Sequence, residues 1–223
     1  MEDVVDYLNK LRRGAMFLID APSGTGKGTI IKELMKKDNK LKFSVSVTTR
    51  PPRNNEVDGV DYYFISDEQY DKYKAENAFY ECVDSQYGNR YATLRSEVDR
   101  FLNVGEDVIF DIDWVGARQI KEKAPKDVVT IYMLPPSIKE LRRRLEGRKT
   151  DSKEVIDKRM SMVVDKIEHW QEFDYVVICT NPEEASEKIS QIISAERMKR
   201  VRQKEGLENF VSELIDEAKK EGK

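Results

Sequence analysis

Ala21, Pro22, Ser23, Gly24, Thr25, Gly26, Lys27, Gly28 and Thr29 follow one another with Lys27 the one large side chain among them. Such a run lets several backbone N–H groups converge on one point, and a helix beginning directly after it adds its positive N-terminal end. The chemistry this suits is the binding of phosphate oxygens, with Lys27 reaching the outer phosphates. A second set of donors lies downstream. Arg50 and Arg53, three residues apart, offer forked donors to a phosphate dianion, and Tyr62 and Tyr91 add hydroxyls without adding charge. Asp111 and Asp113 close an apolar stretch, where a carboxylate can support Mg²⁺ beside bound phosphates.

Those residues need a frame. The 223 residues are 39% apolar and 36% charged, which describes one globular unit, or one domain with lobes. Lys plus Arg number 39 against 42 acids, a net charge of -3, so no global excess exists to hold a nucleic acid or an anionic membrane. One histidine, His169, and two cysteines, Cys82 and Cys179, exclude a disulfide framework, a four-cysteine zinc site and clusters of histidines. His169 reads as structural or surface. No run of about 18 apolar residues occurs, and the first ten residues are acidic where a secretory signal is basic and then apolar, so a cytoplasmic location is expected.

Apolar spacing predicts a short helix over 2–13, stopped by Gly14, and a buried strand over 15–20 that runs into the glycine-rich turn. Ile30, Ile31, Leu34 and Met35 then predict a helix to Lys37. The runs 107–113, 128–134 and 174–179 each precede helical spacing, over 114–123, over 137–146 and from Pro182. Four strand-then-helix units imply a parallel sheet with helices on its faces. Residues 43–106 read differently, as short β-type runs around one helix at 67–75, an inserted α+β lobe. Residues 147–170 are polar and arginine-bearing, as suits a flap, while Arg142, Arg143 and Arg144 just before them read as a solvated helix face. In the tail, five basic residues fall within 197–204, and Leu207, Phe210, Val211, Leu214 and Ile215 form an apolar stripe. The tail is expected to pack on its own domain or on a second subunit, the second option making a homodimer.

The 21–29 run resembles the Walker A pattern G-x-x-x-x-G-K-[ST], with two departures: Ala21 stands for the first glycine, and Gly28 delays the hydroxyl to Thr29. The Gly-Lys-Gly-Thr ending is similar to that of many nucleoside monophosphate kinases. Residues 44–64, SVSVTTRPPRNNEVDGVDYYF, resemble the guanylate kinase signature at every named position. Y-G-N-R-Y at 87–91, D-I-D-W-x-G-A-R at 111–118, L-P-P-S at 134–137 and G-R-x-T-D-S at 147–152 extend the likeness over roughly residues 14–195.

The resemblance implies a P-loop α/β fold with an inserted acceptor-binding lobe and a helical lid. The core would comprise 1–42, 107–134 and 171–203; the GMP-binding lobe 43–106; the lid region 135–170; and a C-terminal helical extension 204–223. It implies ATP + GMP ⇌ ADP + GDP with Mg²⁺, the metal near Thr29 and Asp111. It assigns the 21–29 loop to the donor phosphates and Arg50, Arg53, Tyr62 and Tyr91 to the acceptor phosphate. Guanine presents N1–H and N2–H₂ side by side, a pair that a carboxylate can accept. Glu81 matches the family glutamate in that role, Asp113 the assisting aspartate, and Ser46 and Thr93 hydroxyls around the base. Arg148 and Arg159 match lid arginines. The chain departs from the family at Cys82–Tyr87, one residue longer, at Arg90-Tyr91-Ala92-Thr93, and at Cys179-Thr180-Asn181-Pro182, where donor-base contacts are therefore not carried over. A guanylate-kinase-like phosphopeptide-binding module is the alternative, and the intact Gly24, Gly26 and Lys27 weigh against it.

Overall fold

The computed structural model describes residues 11–84, 88–147 and 152–222. Along the chain run β1 (Met16–Asp20), α1 (Lys27–Lys37), β2 (Leu41–Phe43), β3 (Val47–Thr48), β4 (Tyr63–Phe64), α2 (Asp67–Ala75), β5 (Phe79–Asp84) and β6 (Arg90–Leu94). After these come α3 (Arg95–Leu102), β7 (Asp107–Asp111), α4 (Trp114–Lys123), β8 (Val128–Leu134), α5 (Ile138–Gly147), α6 (Lys153–Ser161) and α7 (Val163–Glu168). A short turn of 3-10 helix, His169–Glu172, leads to β9 (Tyr175–Ile178), α8 (Pro182–Arg197) and α9 (Lys204–Glu221).

A parallel five-stranded sheet in the order β2-β7-β1-β8-β9 forms the centre. Every side chain of β1 is buried, which is why its sequence is apolar without alternation from Met16 to Ile19, before Asp20 closes it. Phe17 and Ile19 face Ile30 and Leu34 of α1 and Ile189 of α8. Met16 and Leu18 face Val98 and Leu102 of α3 and Ile120 of α4. Helices thus cover both faces, and the crevice at the carboxyl ends of the strands is where such sheets bind ligands.

The sheet has one strand more than the sequence predicts. Leu41–Phe43 pairs with Asp107–Ile109 at the sheet edge, but only three residues form it, with Lys42 between the two apolar ones, so its signal merges with the lobe's FSVSV run. The lobe itself is a four-stranded sheet, β4-β3-β6-β5, closed by Val47, Tyr70, Phe79 and Ala92. Its predicted helix at 67–75 is present. Arg95–Leu102 is a helix that the sequence reading passes over, although Val98 and Leu102 follow helical spacing and are buried. Most of the helix predicted over 2–13 lies outside the described residues. The 147–170 flap contains α6 and α7.

Three of the five basic residues in 197–204 hold the fold. Arg197 donates through Nε to Asp107 at 2.7 Å and pairs with Asp38 at 2.6 Å; Lys199 and Arg202 pair with the buried Glu196. The Asp107 carboxylate is fully buried and also accepts both Arg12 Nη groups at 2.7 Å and the Ala15 N–H at 2.8 Å. Removing one partner of such a network leaves buried charge uncompensated. Asp107→Ala is expected to cost about 3–5 kcal/mol, lowering Tm by roughly 10 °C or more for a chain of this size, as thermal denaturation would measure. A Tm within a degree or two of wild type would contradict that account. The apolar stripe of α9 is covered only in part: Leu207 and Phe210 are half-buried, while Val211, Leu214 and Ile215 remain 46%, 46% and 49% exposed. Among the described residues no helix is long and apolar enough to cross a membrane.

Candidate active site

The glycine-rich turn connects the end of β1 to the start of α1. Gly24 and Gly26 adopt φ of +97° and +110°, conformations that favour glycine, and a Cβ on Gly24 would also sit 2.9 Å from Leu145 Cγ of α5. Thr25 is buried and locks the turn, its N–H and hydroxyl both donating to the Pro22 carbonyl at 3.1 and 2.8 Å. Ala21 needs no left-handed backbone, since Asn55 and Asn77 are the only described non-glycine residues at positive φ. The first departure from Walker A therefore brings no backbone strain.

Arg144 departs from the solvated reading of its triplet. Its guanidinium donates to the carbonyls of Thr25 (3.1 Å), Cys179 (3.2 Å) and Thr180 (2.8 Å), bracing the turn against the end of β9. Arg142 and Arg143 do stay on the exposed face, paired with Asp157 and Glu140. The periodicity of α5 gives no sign of this difference: Arg144 pairs with Glu140 one turn back, at 2.9 Å, as a solvated helix arginine would, and the three carbonyls that set it apart lie more than thirty positions away.

Lys27 points across the ends of β1 and β7. Its Nζ lies 2.7 Å from Asp111 Oδ1 and 3.7 Å from Asp20 Oδ1, and donates to the Ile112 carbonyl at 3.3 Å. Sequence reasoning overlooks Asp20. Its signal is a carboxylate closing an otherwise apolar strand, one register step beyond the pair Ile19 and Asp111. Asp20 accepts the Ala21 N–H at 2.7 Å, while its buried Oδ2 has no hydrogen-bond partner; burial pushes its carboxyl above the usual range, and the charge of Lys27 opposes that. Thr29 is exposed on the first turn of α1.

A cleft of about 340 Å³ runs from Lys27 and Asp111 into the lobe, where Ser46, Tyr62, Glu81, Tyr91, Thr93 and Asp113 line it. Tyr62 and Tyr91 meet edge to face, ring centres 6.0 Å apart. Glu81 is 6% exposed and accepts the Thr93 hydroxyl at 2.8 Å. Burial raises its carboxyl to about 7, the Thr93 bond acting against the shift and the neighbouring Asp113 with it. Asp113 caps α4, accepting the Gly116 N–H at 3.1 Å. Arg50 is held by Glu56 (2.9 Å) and the Pro51 carbonyl (2.7 Å) beside the rings of Tyr62 and Phe64. Arg53 lies exposed at the lobe's outer loop, its N–H bound to Glu56.

From the flap, Arg159 donates to Ser23 Oγ at 3.2 Å, so α6 touches the glycine-rich turn. Arg148 lies outside the described residues. Lys166 of α7 lies 3.7 Å from Asp113 Oδ2, a second link that sequence reasoning does not single out. His169 stacks on Trp114 at 3.6 Å and bonds Glu172, in keeping with a structural role. A larger cavity, about 850 Å³, opens by Gly14, Val128 and Arg202 at the opposite ends of the strands. Its buried arginine is paired with Glu196, and nothing there matches the convergence of Lys27, carboxylates and hydroxyls in the smaller cleft.

Residues 13–196 match the family model described as guanylate kinase. The guanylate kinase of Zymomonas mobilis is 47% identical over 204 residues, covering 92% of this chain and 94% of that protein. That of Novosphingobium aromaticivorans is also 47% identical, covering 92% and 91%. Among solved structures, guanylate kinase from Anaplasma phagocytophilum superposes with a TM-score of 0.67 at 31% identity, covering 86% of this chain and 90% of that one.

Proposed function

The chain belongs to the guanylate kinase family and transfers the γ-phosphoryl group of ATP to GMP, giving ADP and GDP; we propose which of its residues carry the two substrates. The 21–29 turn takes the donor phosphates, with Lys27 exchanging Asp111 for triphosphate oxygens. Arg50, Arg53, Tyr62 and Tyr91 take the acceptor phosphate, and Ser46, Glu81, Thr93 and Asp113 take guanine. Arg159, which already meets Ser23 of the turn, and Arg148, by its match to the family motif, are assigned to the transferring group from the lid, residues 135–170. The remaining divisions are the lobe 43–106, the core 1–42, 107–134 and 171–203, and the extension 204–223. One observation carries this reading: Lys27 and Glu81 line a single cleft.

A GMP phosphate oxygen attacks the γ-phosphorus while the bond to the β,γ-bridging oxygen breaks, with no covalent enzyme intermediate. Catalysis on this reading is alignment plus charge neutralisation by Lys27 and the arginines, with the lobe and lid excluding water. Mg²⁺ fits the residues present. Among the described residues no group of three or more His, Cys, Asp or Glu can hold a metal unaided, and Mg²⁺ characteristically binds through one or two carboxylates or hydroxyls plus substrate phosphates. Asp111 and Thr29 are the oxygen donors that would hold it. The ion would neutralise charge on the β- and γ-oxygens.

Coupled assay of ADP release with GMP, AMP, UMP and dTMP tests the assignment. GMP is expected to be preferred over AMP by about 10⁴-fold, since the wrong base leaves buried polar groups unpaired. Comparable rates with AMP would overturn the base-site assignment.

A further inference from the structure

Strand β5 is an outer strand of the lobe sheet, paired with β6 on one side and, among the described residues, with no strand on the other. Edge strands leave alternate N–H and C=O groups unpaired. At Cys82, directly after Glu81, both groups are nevertheless satisfied. Gln119 Oε1 accepts the Cys82 N–H at 3.1 Å, and Gln119 Nε2 donates to the Cys82 carbonyl at 3.2 Å. A primary amide carries donor and acceptor side by side, so this side chain stands in for one residue of a missing neighbouring strand.

Gln119 belongs to α4, the helix capped by Asp113, and Gly116 lies three positions from each, with Gly116 and Gln119 neighbours on the face turned to β5. At Gly116 that face comes close to the base-site carboxylate: an added Cβ would lie 3.5 Å from Glu81 Oε2 and 2.6 Å from Ile112 Cδ1. On its other side, Glu81 follows an irregularity in the ladder, where the register slips between Phe79 and Glu81. Such a break re-aims side chains, so the pairing before Glu81 does not by itself fix its direction. The amide clamp lies just after it.

We infer that Gln119 is a positioning residue for guanine specificity: by clamping the Cys82 backbone it fixes how Glu81 enters the cleft, and α4 holds both base-site carboxylates in one frame. Asp113 is held by its own N-cap bond; Glu81 is held at its carboxylate by the Thr93 hydroxyl and at the backbone just after it by Gln119. This rests on the proposed assignment of Glu81 to the N–H donors of guanine.

The test compares GMP with IMP, which lacks the 2-amino group. Gln119→Met keeps length and helix preference while removing the amide. It is expected to raise KM for GMP about tenfold, the equivalent of about 1.4 kcal/mol, from the loss of two hydrogen bonds of order 1 kcal/mol each. The preference for GMP over IMP should fall by a similar factor, while kcat at saturating GMP and KM for ATP stay within about twofold of wild type. In a Glu81→Gln background the same change should leave the preference unaltered, because the clamp acts through Glu81. Gln119→Glu keeps the acceptor alone and should fall between; if the Met variant does not fold, this variant decides by the same readouts. A wild-type GMP:IMP preference in the Gln119 variants, with or without a lowered Tm, would reduce Gln119 to a structural tie. An unchanged preference in Glu81→Gln alone would remove the base assignment itself.

Discussion

Lys27→Ala is expected to lower turnover of ATP and GMP by about 10²–10³-fold, the scale of removing one positioned electrostatic stabiliser from a transition state. The local charges explain why the loss should fall on turnover. Lys27 is the cation set between Asp111, at 2.7 Å, and Asp20, at 3.7 Å. Without it, the incoming triphosphate meets two carboxylates, one of them buried, and no ammonium follows the charge that moves onto the leaving phosphates. Arginine would not restore the function fully, since a planar fork cannot occupy the place of a compact ammonium between those two acids. Coupled ADP release at saturating substrates measures the effect, and thermal denaturation separates it from unfolding. Near-wild-type turnover in folded Lys27→Ala would defeat the donor-loop assignment.

How far such residues can be read from sequence depends on what holds them. The segment from β1 through the glycine-rich turn to α1 is legible because burial on both strand faces leaves a continuous apolar run, and tight backbone leaves glycines. Trp114–Lys123 and Val128–Leu134 fall where periodicity puts them. Leu41–Phe43 is obscured because it borrows its stability from β7 and has too few residues to show a period. Asp20, Arg144 and Gln119 are harder still. Each acts on backbone groups or on a side chain from another element, contacts that residue spacing does not encode; Asp20 shows only as an acid that closes an apolar strand. The basic run at 197–204 shows the converse: its charge density is visible, but three of its members are engaged by Asp38, Asp107 and Glu196, and only the fold reveals those partners. Glu81 is assigned to guanine in the sequence through family resemblance alone; its burial and its bond to Thr93 come from packing.

Glu81→Gln should reduce kcat/KM for GMP by about 10²–10³-fold and erode the preference for guanine. A carboxylate accepts both guanine donors, whereas an amide turns one of its two groups into a donor facing a donor, in a site too buried for water to repair the mismatch. The same group makes recognition depend on pH. Burial raises Glu81 to about 7 in the free enzyme, so at pH 6 most molecules carry the neutral acid, which offers a hydrogen where an acceptor is needed. KM for GMP should therefore fall about tenfold per pH unit as pH rises towards 7 and level off above it. Stability runs the opposite way. Because the folded value lies above the ordinary 4.5, the folded state holds this proton more tightly than the unfolded state, and the stability so gained is lost as pH rises from about 4.5 to 7. Wild type measured against Glu81→Gln should thus lose relative Tm between pH 5 and pH 8 while its affinity for GMP improves. The substrate's own phosphate titrates near pH 6, but that contribution persists in the Gln variant, so the difference between the two proteins isolates the carboxyl. A pH profile for GMP that is the same in both would mean that Glu81 does not meet the base as an anion.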